Sequence, residues 1–337
     1  MPADTVLHIS AEKMQQTFCD ILLRYGFTAD KATACAAIFT ANSIDGIYTH
    51  GVNRFAKFIQ YIKAGNIDVA AAPVLQNSFG GMEQWNGNFG PGPLNALDAT
   101  DRAMQLAAAN GIGCVALANT NHWHRGGTYG WRAAKKGFVF ICWTNTIANM
   151  PAWGAKDARL GNNPLVFALP YGDEAIVLDM AMSQYSFGAM ELAVMNDTKL
   201  AVTGGYDKDG ALTNNPAEIL HSRRPLPIGY WKGAGLSLLL DLLASILSGG
   251  LSTHQSTAKG IEFCSQVFIA IDISKLGNAS AVGNIIQNII DDYKQSVPVT
   301  EQTAITYPGE RILATRKINT EKGIPVFNKV WEEIVAL

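Results

Sequence analysis

The segment AANGIGCVALANT, residues 108–120, decides which fold this chain can form. Within it, residues 111–116 match Gly-x-Gly-x-x-Ala, the pattern by which Rossmann folds bind dinucleotides. In that fold the pattern follows a strand and opens a helix, so that the helix N-terminus faces the pyrophosphate. Here it follows a helix predicted over 93–109 and opens an apolar strand predicted over 112–118. We therefore expect Gly111 to end that helix, and the segment does not support a Rossmann site.

Outward from this segment, strand-like and helix-like stretches alternate. Further strands are predicted over 138–143, 165–169, 175–178 and 267–273, and further helices over 129–135, 190–200, 236–248 and 283–294. Three helices are predicted near the N-terminus: one capped by Ser10, one capped by Thr28, and one that follows Gly51. This alternation indicates an α/β fold, with the helical N-terminus as a separate layer or subdomain.

Composition is typical of an intracellular protein with a large core. Of its 337 residues, 48% are hydrophobic and 16% are charged. The formal net charge of −2 predicts no binding of nucleic acid or of an anionic membrane. The most apolar stretch, residues 236–247, is too short to span a bilayer and contains Asp241. Five scattered cysteines without a Cys-x-x-Cys pair, and an N-terminus without a signal peptide, predict a cytoplasmic location.

A polar turn before the third helix contains the first candidate site. It has the sequence YTHGVNR, residues 48–54, and places His50 four residues before Arg54, so a helix that begins near Gly51 would bring their side chains to adjacent faces. Arginine offers a planar fork for a carboxylate, and histidine titrates near physiological pH. Reduction of a 2-oxo acid needs both an anchor for the carboxylate and a proton for the carbonyl oxygen. A surface histidine and a solvated arginine would give the same spacing.

The loop after the strand over 112–118 contains the second candidate site. It has the sequence NTNHWHRGG, residues 119–127, and loops at strand ends are where α/β proteins bind ligands. His122 and His124 would also suit a metal, but no third ligand lies at a familiar spacing. We therefore predict no metal site. A histidine-based metal hydrolase and a purely structural loop remain alternatives.

Two other segments have residues that suit a cofactor. The strand over 175–178 is followed by Asp179, and an acidic residue at a strand end can accept hydrogen bonds from ribose hydroxyls. Lys232 lies beside glycines at the start of an apolar helix, where a phosphate would be favoured. A helix-capping aspartate and a solvated lysine would explain the same residues.

Taken together, these motifs resemble those of the type 2 malate/L-lactate dehydrogenase family. The resemblance covers nearly the whole chain, and its motifs occur in order: YTHGVNR at 48–54, NHWHRGG at 121–127, PAWGAK at 151–156, GNNPL at 161–165, LDM at 178–180, GYWKG at 229–233 and PGE at 308–310. The tryptophan followed by Arg-Gly-Gly resembles the branch of the family that reduces 2,3-diketo-L-gulonate. The family implies a homodimeric oxidoreductase with a non-Rossmann dinucleotide-binding fold, in agreement with the failed fingerprint.

The resemblance also implies roles for individual residues. His50 would give a proton to the substrate carbonyl, Arg54 would bind the carboxylate, and His122 would be a second active-site histidine. The residues implied to contact the cofactor are Asn145, Thr146, Ala175, Ile176, Val177, Leu178, Asp179, Met180, Ala181, Trp231, Lys232, Gly309, Glu310 and Arg311. Much of the family has His-Phe-Gly where this chain has His122-Trp123-His124, so His124 matches no position with a known role.

We predict a division of the chain into three parts. A helical subdomain would span 1–75, an α/β domain with the NAD-binding and active sites would span 76–235, and a C-terminal α/β part over 236–337 would pack with the N-terminal helices.

The predicted reaction is reduction of a 2-oxo acid, namely 2,3-diketo-L-gulonate to 3-dehydro-L-gulonate, with hydride delivered to C2 and the proton from His50. NADH is expected in preference to NADPH, because Asp179 would disfavour a 2′-phosphate if it faces the ribose. Malate, L-lactate and ureidoglycolate remain alternative substrates of the same family. A cofactor-binding protein without turnover is a further alternative.

Overall fold

The computed structural model of the chain describes residues 6–259 and 263–337. Its strands are β1 (Val6–Ile9), β2 (Val74–Phe79), β3 (Met82–Asn86), β4 (Ile112–Thr120), β5 (Phe138–Thr144), β6 (Met150–Pro151), β7 (Ala158–Leu160), β8 (Leu165–Tyr171), β9 (Glu174–Met180), β10 (Gly205–Tyr206), β11 (Leu212–Thr213), β12 (Cys264–Asp272) and β13 (Ile324–Phe327). Its helices are α1 (Ala11–Arg24), α2 (Ala29–Ile44), α3 (Val52–Lys63), α4 (Gly92–Asn110), α5 (Gly126–Ala134), α6 (Phe187–Met195), α7 (Pro216–Ser222), α8 (Trp231–Ser248), α9 (Thr253–Lys259), α10 (Val282–Lys294), α11 (Glu310–Lys322) and α12 (Asn328–Val335).

The two glycines of the 111–116 pattern serve packing between α4 and β4. Gly111 ends α4 with φ +85°, and its N–H donates to the carbonyl oxygen of Ala107 at 2.7 Å. A Cβ on Gly113 would lie 2.2 Å from the carbonyl oxygen of Ala103, so the strand passes too close to the helix for any side chain. The pattern therefore closes a helix and opens a strand, and that prediction is confirmed.

The largest sheet in the described residues has seven strands in the order β2-β3-β4-β12-β5-β8-β9. Within it β3 and β4 run parallel, and the other neighbouring strands run antiparallel. The central strand β12 lies between β4 and β5 although it comes late in the chain. A Rossmann fold needs a mostly parallel sheet, so this order independently excludes it and confirms a non-Rossmann α/β fold.

Helices cover both faces of this sheet. On one face α4 and α5 bury Ala103 and Trp131 against Phe140 of β5 and Phe268 of β12. On the other face α8 buries Leu240 and its neighbours against β5 and β12. Apolar residues on both sides of the middle strands explain why these strands read as continuous apolar runs.

A separate core lies among the N-terminal helices. Phe18 of α1 and Phe55 of α3 stack with ring centroids 4.1 Å apart, and α2 adds Phe39. The β1–β13 pair and α12 complete this core, so the last residues of the chain pack with the first. The predicted three-part division stays a prediction, and in the structure residues 236–337 divide between this core and the large sheet.

Helix α8 is long and apolar enough to cross a membrane by length and composition alone. One third of its residues are buried against the sheet, and its Asp241 accepts a hydrogen bond from Asn145 at 2.8 Å. Five exposed apolar side chains form a stripe at helical spacing: Leu238, Leu239, Leu242, Leu243 and Ile246.

Candidate active site

His50 lies at the end of a short 3-10 turn, Tyr48–His50, that joins α2 to α3. The last turn of α2 holds this segment: the Asn42 side chain donates to the carbonyl oxygen of His50 at 2.9 Å. Ser43 Oγ accepts the Val52 N–H at 2.8 Å. A Cβ on Gly51 would lie 2.3 Å from Ser43 Oγ, which explains the glycine after the histidine. These contacts fix the position of the His50 backbone.

His122 reaches the same place from the opposite side, on the loop after β4. The His50 and His122 rings are nearly parallel, with 12° between their planes and 5.8 Å between their centroids. The backbone N–H of His124 donates to Nδ1 of His122 at 2.9 Å. A neutral His122 therefore carries its proton on Nε2. The structure thus brings together two residues that lie 72 positions apart in the sequence.

Arg54 completes this cluster from the first turn of α3. It lines a small cavity of about 10 Å³. The other walls are Phe58, Tyr61 and Ile67, and three residues of the 119–127 loop, Asn121, His122 and His124. Residues predicted from two distant motifs therefore surround one pocket.

The charges around this pocket favour an anion. Burial, with the Arg54 and Arg125 cations, lowers the pKa of His50 from 6.5 to about 4. Burial first and then Arg54 lower the pKa of His122 and that of His124 well below the ordinary value. The histidines are accordingly neutral at pH 7, while Arg54 stays charged. A carboxylate bound beside Arg54 would meet positive charge and would favour protonation of a neighbouring histidine.

A buried ion pair behind His50 was missed by the sequence analysis. Arg125, 5% exposed, pairs through Nη1 with Asp45 Oδ2 at 2.5 Å. Asp45 also accepts from Nε of Arg316 at 2.7 Å, and Arg316 lies over the Trp131 ring, 4.5 Å from its centroid. This network ties α2, α5 and α11 together next to His50. Arg125 and Arg316 lie 80 and 271 positions from Asp45 in the chain, so no local sequence pattern indicates either pair.

The predicted cofactor strand, Ala175–Ala181, is largely β9, the edge strand of the sheet. Asp179 Oδ2 accepts the N–H of Gly127 at 2.8 Å and lies 4.0 Å from Nε of Arg125. A Cβ on Gly127 would lie 2.9 Å from that same oxygen. Asp179 therefore faces the N-terminus of α5, on the side of the sheet where Arg125 points. One of its two oxygens already accepts a hydrogen bond within the protein, so at most the other is left for a ribose hydroxyl.

The predicted residues Gly309, Glu310 and Arg311 adjoin the same strand edge. Val177 N–H donates to the carbonyl oxygen of Pro308 at 3.1 Å. Gly309 has φ +92°, and a Cβ there would lie 3.2 Å from the Val177 nitrogen. Glu310 pairs with Lys294 on α10 at 2.5 Å, and Arg311 is exposed. Of the three, Gly309 makes the closest approach to β9.

Asn145 and Thr146, by contrast, are deep and well hydrogen-bonded. The Asn145 amide donates to Asp241 and to the carbonyl oxygen of Leu251, each at 2.8 Å, and its oxygen accepts the Ser265 N–H at 2.7 Å. Thr146 is bonded to the side chain of Asn163. In this structure the two residues brace the end of β5.

Trp231 and Lys232 lie at the start of α8, and both are exposed. The Lys232 ammonium is 5.9 Å from the centroid of the Trp231 ring, and the preceding Tyr230 has φ +61°. A cation, an aromatic ring and a helix N-terminus suit a ligand with phosphates and planar bases, as a nicotinamide dinucleotide has.

No group of three or more His, Cys, Asp or Glu side chains within 6–259 and 263–337 is arranged to hold a metal ion. The Nδ1 atom of His122 is moreover occupied by a backbone N–H. The metal-hydrolase alternative therefore has no supporting ligand set in the described part of the chain.

Comparison with known proteins agrees with this fold. A sequence model of the malate/L-lactate dehydrogenase family matches residues 9–335. The chain belongs to this family and is an oxidoreductase that acts on hydroxy acids. Dehydrogenases of this family use a nicotinamide dinucleotide.

Individual relatives narrow the comparison. A 2,3-diketo-L-gulonate reductase from Citrobacter koseri is 42% identical over 333 residues, which cover 98% of this chain and 100% of the relative. One from Klebsiella pneumoniae has the same identity and coverage. Among solved structures, sulfolactate dehydrogenase from Methanocaldococcus jannaschii superposes with a TM-score of 0.89 at 26% identity, covering 97% of this chain and 95% of that one.

Malate dehydrogenase from Entamoeba histolytica reaches a TM-score of 0.92 at 23% identity, covering 98% and 96% of the two chains. That similarity supports the fold.

Proposed function

We propose that the protein reduces 2,3-diketo-L-gulonate to 3-dehydro-L-gulonate at a site built on His50, Arg54 and His122. The observation that carries this proposal is the His50–His122 pair. Arg54 lines a cavity beside His122, and the charges of Arg54 and Arg125 near His50 favour an anionic substrate. Relatives named for this activity at 42% identity over nearly the whole chain support the choice of substrate.

The side chains divide the work of the reaction. Arg54 binds the substrate carboxylate through its planar fork. A nicotinamide dinucleotide held by the proposed cofactor residues would supply the hydride for C2. His50 gives its proton to the carbonyl oxygen, and the Nε2–H of His122 donates a hydrogen bond to the same oxygen. The substrate carboxylate offsets the Arg54 charge, which raises the pKa of His50 toward its ordinary value when substrate is bound.

The cofactor is proposed to lie along the edge of β9. Gly309 lies against that edge. Trp231 and Lys232, exposed at the start of α8, are proposed as further contacts. The carboxylate of Asp179 would repel a 2′-phosphate placed beside it, so NADH is the proposed cofactor. The ratio of kcat/KM for NADH and NADPH measures this preference, and a preference for NADPH would place the ribose away from Asp179.

We further propose a cytoplasmic homodimer. The five cysteines all lie in the described part of the chain and form no disulfide there, as expected in a reducing compartment. The exposed stripe of α8 supplies a continuous apolar face of the kind that monomers rarely leave in water.

Replacement of the proton donor tests the proposed reaction. His50→Ala should lower kcat for 2,3-diketo-L-gulonate by about a hundredfold or more, because the carbonyl oxygen loses its acid. NADH affinity, measured by quenching of tryptophan fluorescence, should stay within about twofold, since His50 lies outside the proposed cofactor path. His221→Ala, at an exposed histidine on α7, is the matched control and should behave as wild type.

Near-normal turnover of His50→Ala would reject His50 as the donor. Malate, L-lactate and ureidoglycolate pairs belong in the same assay, since the same three residues would serve any 2-oxo acid.

A further inference from the structure

His124 is a buried side chain that the proposed reaction leaves unused. It is 4% exposed, and neither ring nitrogen has a hydrogen-bond partner. Among the described residues it is the one side chain with two such atoms. Buried polar groups are nearly always paired, because an unpaired one loses its bonds to water without replacement. The two ring nitrogens are therefore available to hydrogen-bond a group from outside the protein.

The ring cannot turn away to find a partner elsewhere. It is packed against Phe39 and Phe58, with ring centroids 4.5 and 5.4 Å away. Its backbone has φ +67°, a conformation that only a minority of residues adopt, and its N–H is bonded to His122. Strained residues of this kind cluster at functional sites.

The missing partner would occupy the cavity that His124 shares with His122 and Arg54. The cavity measures about 10 Å³, which is room for one water-sized group. Its other walls are Phe58 and Ile67 on the apolar side and Tyr61 and Asn121 on the polar side. Because Arg54 and His122 also belong to the proposed substrate site, a group in this cavity can be part of the substrate.

A hydroxyl is the group that fits this place. Burial and the Arg54 charge keep His124 neutral by lowering its pKa, so the ring presents one donor and one acceptor nitrogen. A hydroxyl both donates and accepts, so it can bond to either nitrogen, whereas a carboxylate suits only the donor. A trapped water has the same chemistry and must be distinguished by experiment.

We propose that His124 forms a subsite for one hydroxyl group of a polyhydroxylated 2-oxo acid. The inference rests on the proposed function, because it takes Arg54 and His122 as substrate contacts. It makes His124 a specificity residue that favours sugar acids over short 2-oxo acids. Pyruvate, which has no hydroxyl, would leave the subsite unused.

Substrate comparison in His124→Phe tests the subsite. Phenylalanine keeps a planar ring and removes both nitrogens. For 2,3-diketo-L-gulonate, kcat/KM should fall by about ten- to a hundredfold, the loss expected for one buried hydrogen bond. For pyruvate it should stay within about twofold of wild type. If pyruvate turnover is too slow to measure, its inhibition constant against 2,3-diketo-L-gulonate is compared instead.

His124→Asn is the conservative companion. An asparagine amide offers both a donor and an acceptor, and asparagine tolerates a positive φ. It should recover at least part of the activity on 2,3-diketo-L-gulonate that His124→Phe loses. The thermal midpoint of both variants, with the pyruvate result, separates loss of the subsite from loss of folding.

If kcat/KM falls equally for 2,3-diketo-L-gulonate and pyruvate, His124 supports the site or holds a water. If kcat/KM for 2,3-diketo-L-gulonate does not fall, His124 binds no substrate hydroxyl. Either result overturns the subsite. The proposed function fails separately, if wild-type protein reduces no 2-oxo acid or if His50→Ala retains turnover.

Discussion

The three histidines of the candidate site differ in what their ring nitrogens contact, and these contacts give them different chemistry. His50 has its Nδ1 next to the Thr49 hydroxyl at 3.1 Å, so Nε2 is the nitrogen left for the substrate. His122 has Nδ1 held by a backbone N–H, which makes it a fixed donor through Nε2. His124 has neither nitrogen engaged. The proposed proton donor, the proposed hydrogen-bond donor and the proposed hydroxyl ligand are thus the same residue type in three different surroundings.

Arg54→Lys tests the carboxylate contact at this scale. Lysine keeps the positive charge but loses the planar pair of donors. The KM for the 2-oxo acid should rise by about tenfold, with a smaller change in kcat. Steady-state kinetics give both constants, and fluorescence titration gives the affinity for NADH, which should not change.

Arg159→Lys, on an exposed surface pair with Asp157, is the matched control and should match wild type. An unaltered KM for Arg54→Lys would show that the carboxylate binds elsewhere.

At the scale of elements, the edge strand β9 and the turn into α11 form one side of the proposed cofactor path. Pro308 accepts the Val177 N–H, and Gly309 lies directly against the strand. Its φ of +92° is open to glycine and strained for other residues. This turn therefore fixes the distance between α11 and the sheet.

Gly309→Ala should disturb this contact. The new methyl would lie 3.2 Å from the Val177 nitrogen and 3.3 Å from the Trp131 ring, in a strained backbone. We expect a loss of stability of about 1–2 kcal/mol and weaker binding of NADH. Thermal or urea unfolding and fluorescence titration measure the two effects.

Gly283→Ala on α10 is the control, because nothing lies within 4 Å of a Cβ there. Alanine favours a helix, so this variant should be neutral or slightly stabilised. Equal behaviour of the two variants would contradict a packing role for Gly309.

Most of the predicted helices and strands are found near their predicted bounds, whereas the helix predicted over 190–200 spans Phe187–Met195 and the helix predicted from 236 begins at Trp231. Apolar side chains at helical spacing, with Ser10 as a cap, predicted α1, and Ser10 Oγ does accept the Lys13 N–H at 3.2 Å. The strand β2 was missed because every one of its residues is exposed, so no buried face leaves a pattern. The place of β12 between β4 and β5 was also missed, since strand order depends on pairing across the whole chain.

For the site, the sequence predicted residue types and missed their partners. His50 and Arg54 were apparent from one motif, and His122 from another. The Asp45–Arg125 pair joins residues 80 positions apart, which no local pattern indicates. The state of His124 depends on Phe39, Phe58 and a cavity that exist only after folding.

At the scale of the whole molecule, the proposed site lies where two cores meet. His50 and Arg54 come from the N-terminal helical core, whereas His122 follows a strand of the large sheet. The Asp45–Arg125 pair crosses the same boundary. Breaking a buried pair of this kind typically costs about 3–5 kcal/mol, so the two cores are held in register beside the site.

The exposed stripe of α8 tests the proposed dimer. Leu239→Glu places a charge in the centre of that stripe, where the side chain is 55% exposed in the single chain. Light scattering after gel filtration should show a dimer for wild type and a monomer for the variant, because a buried unpaired charge disfavours association.

Leu23→Glu, at an exposed leucine on α1, is the matched control and should remain dimeric. A monomeric wild type would reject the dimer. A Leu239→Glu variant that stays dimeric would place the interface elsewhere.

The pH dependence of the reaction in both directions tests the central claim most directly. Reduction consumes one proton, so the ratio of kcat/KM for reduction to that for oxidation must fall about tenfold per pH unit. With a pKa of about 4 in the free enzyme, His50 is almost wholly neutral above about pH 5. The account predicts that kcat/KM for reduction falls about tenfold per pH unit between about pH 5.5 and 8, while kcat/KM for oxidation stays constant. A break near pH 6.5 in kcat/KM for oxidation, or a kcat/KM for reduction that does not change with pH, would contradict His50 as the proton donor.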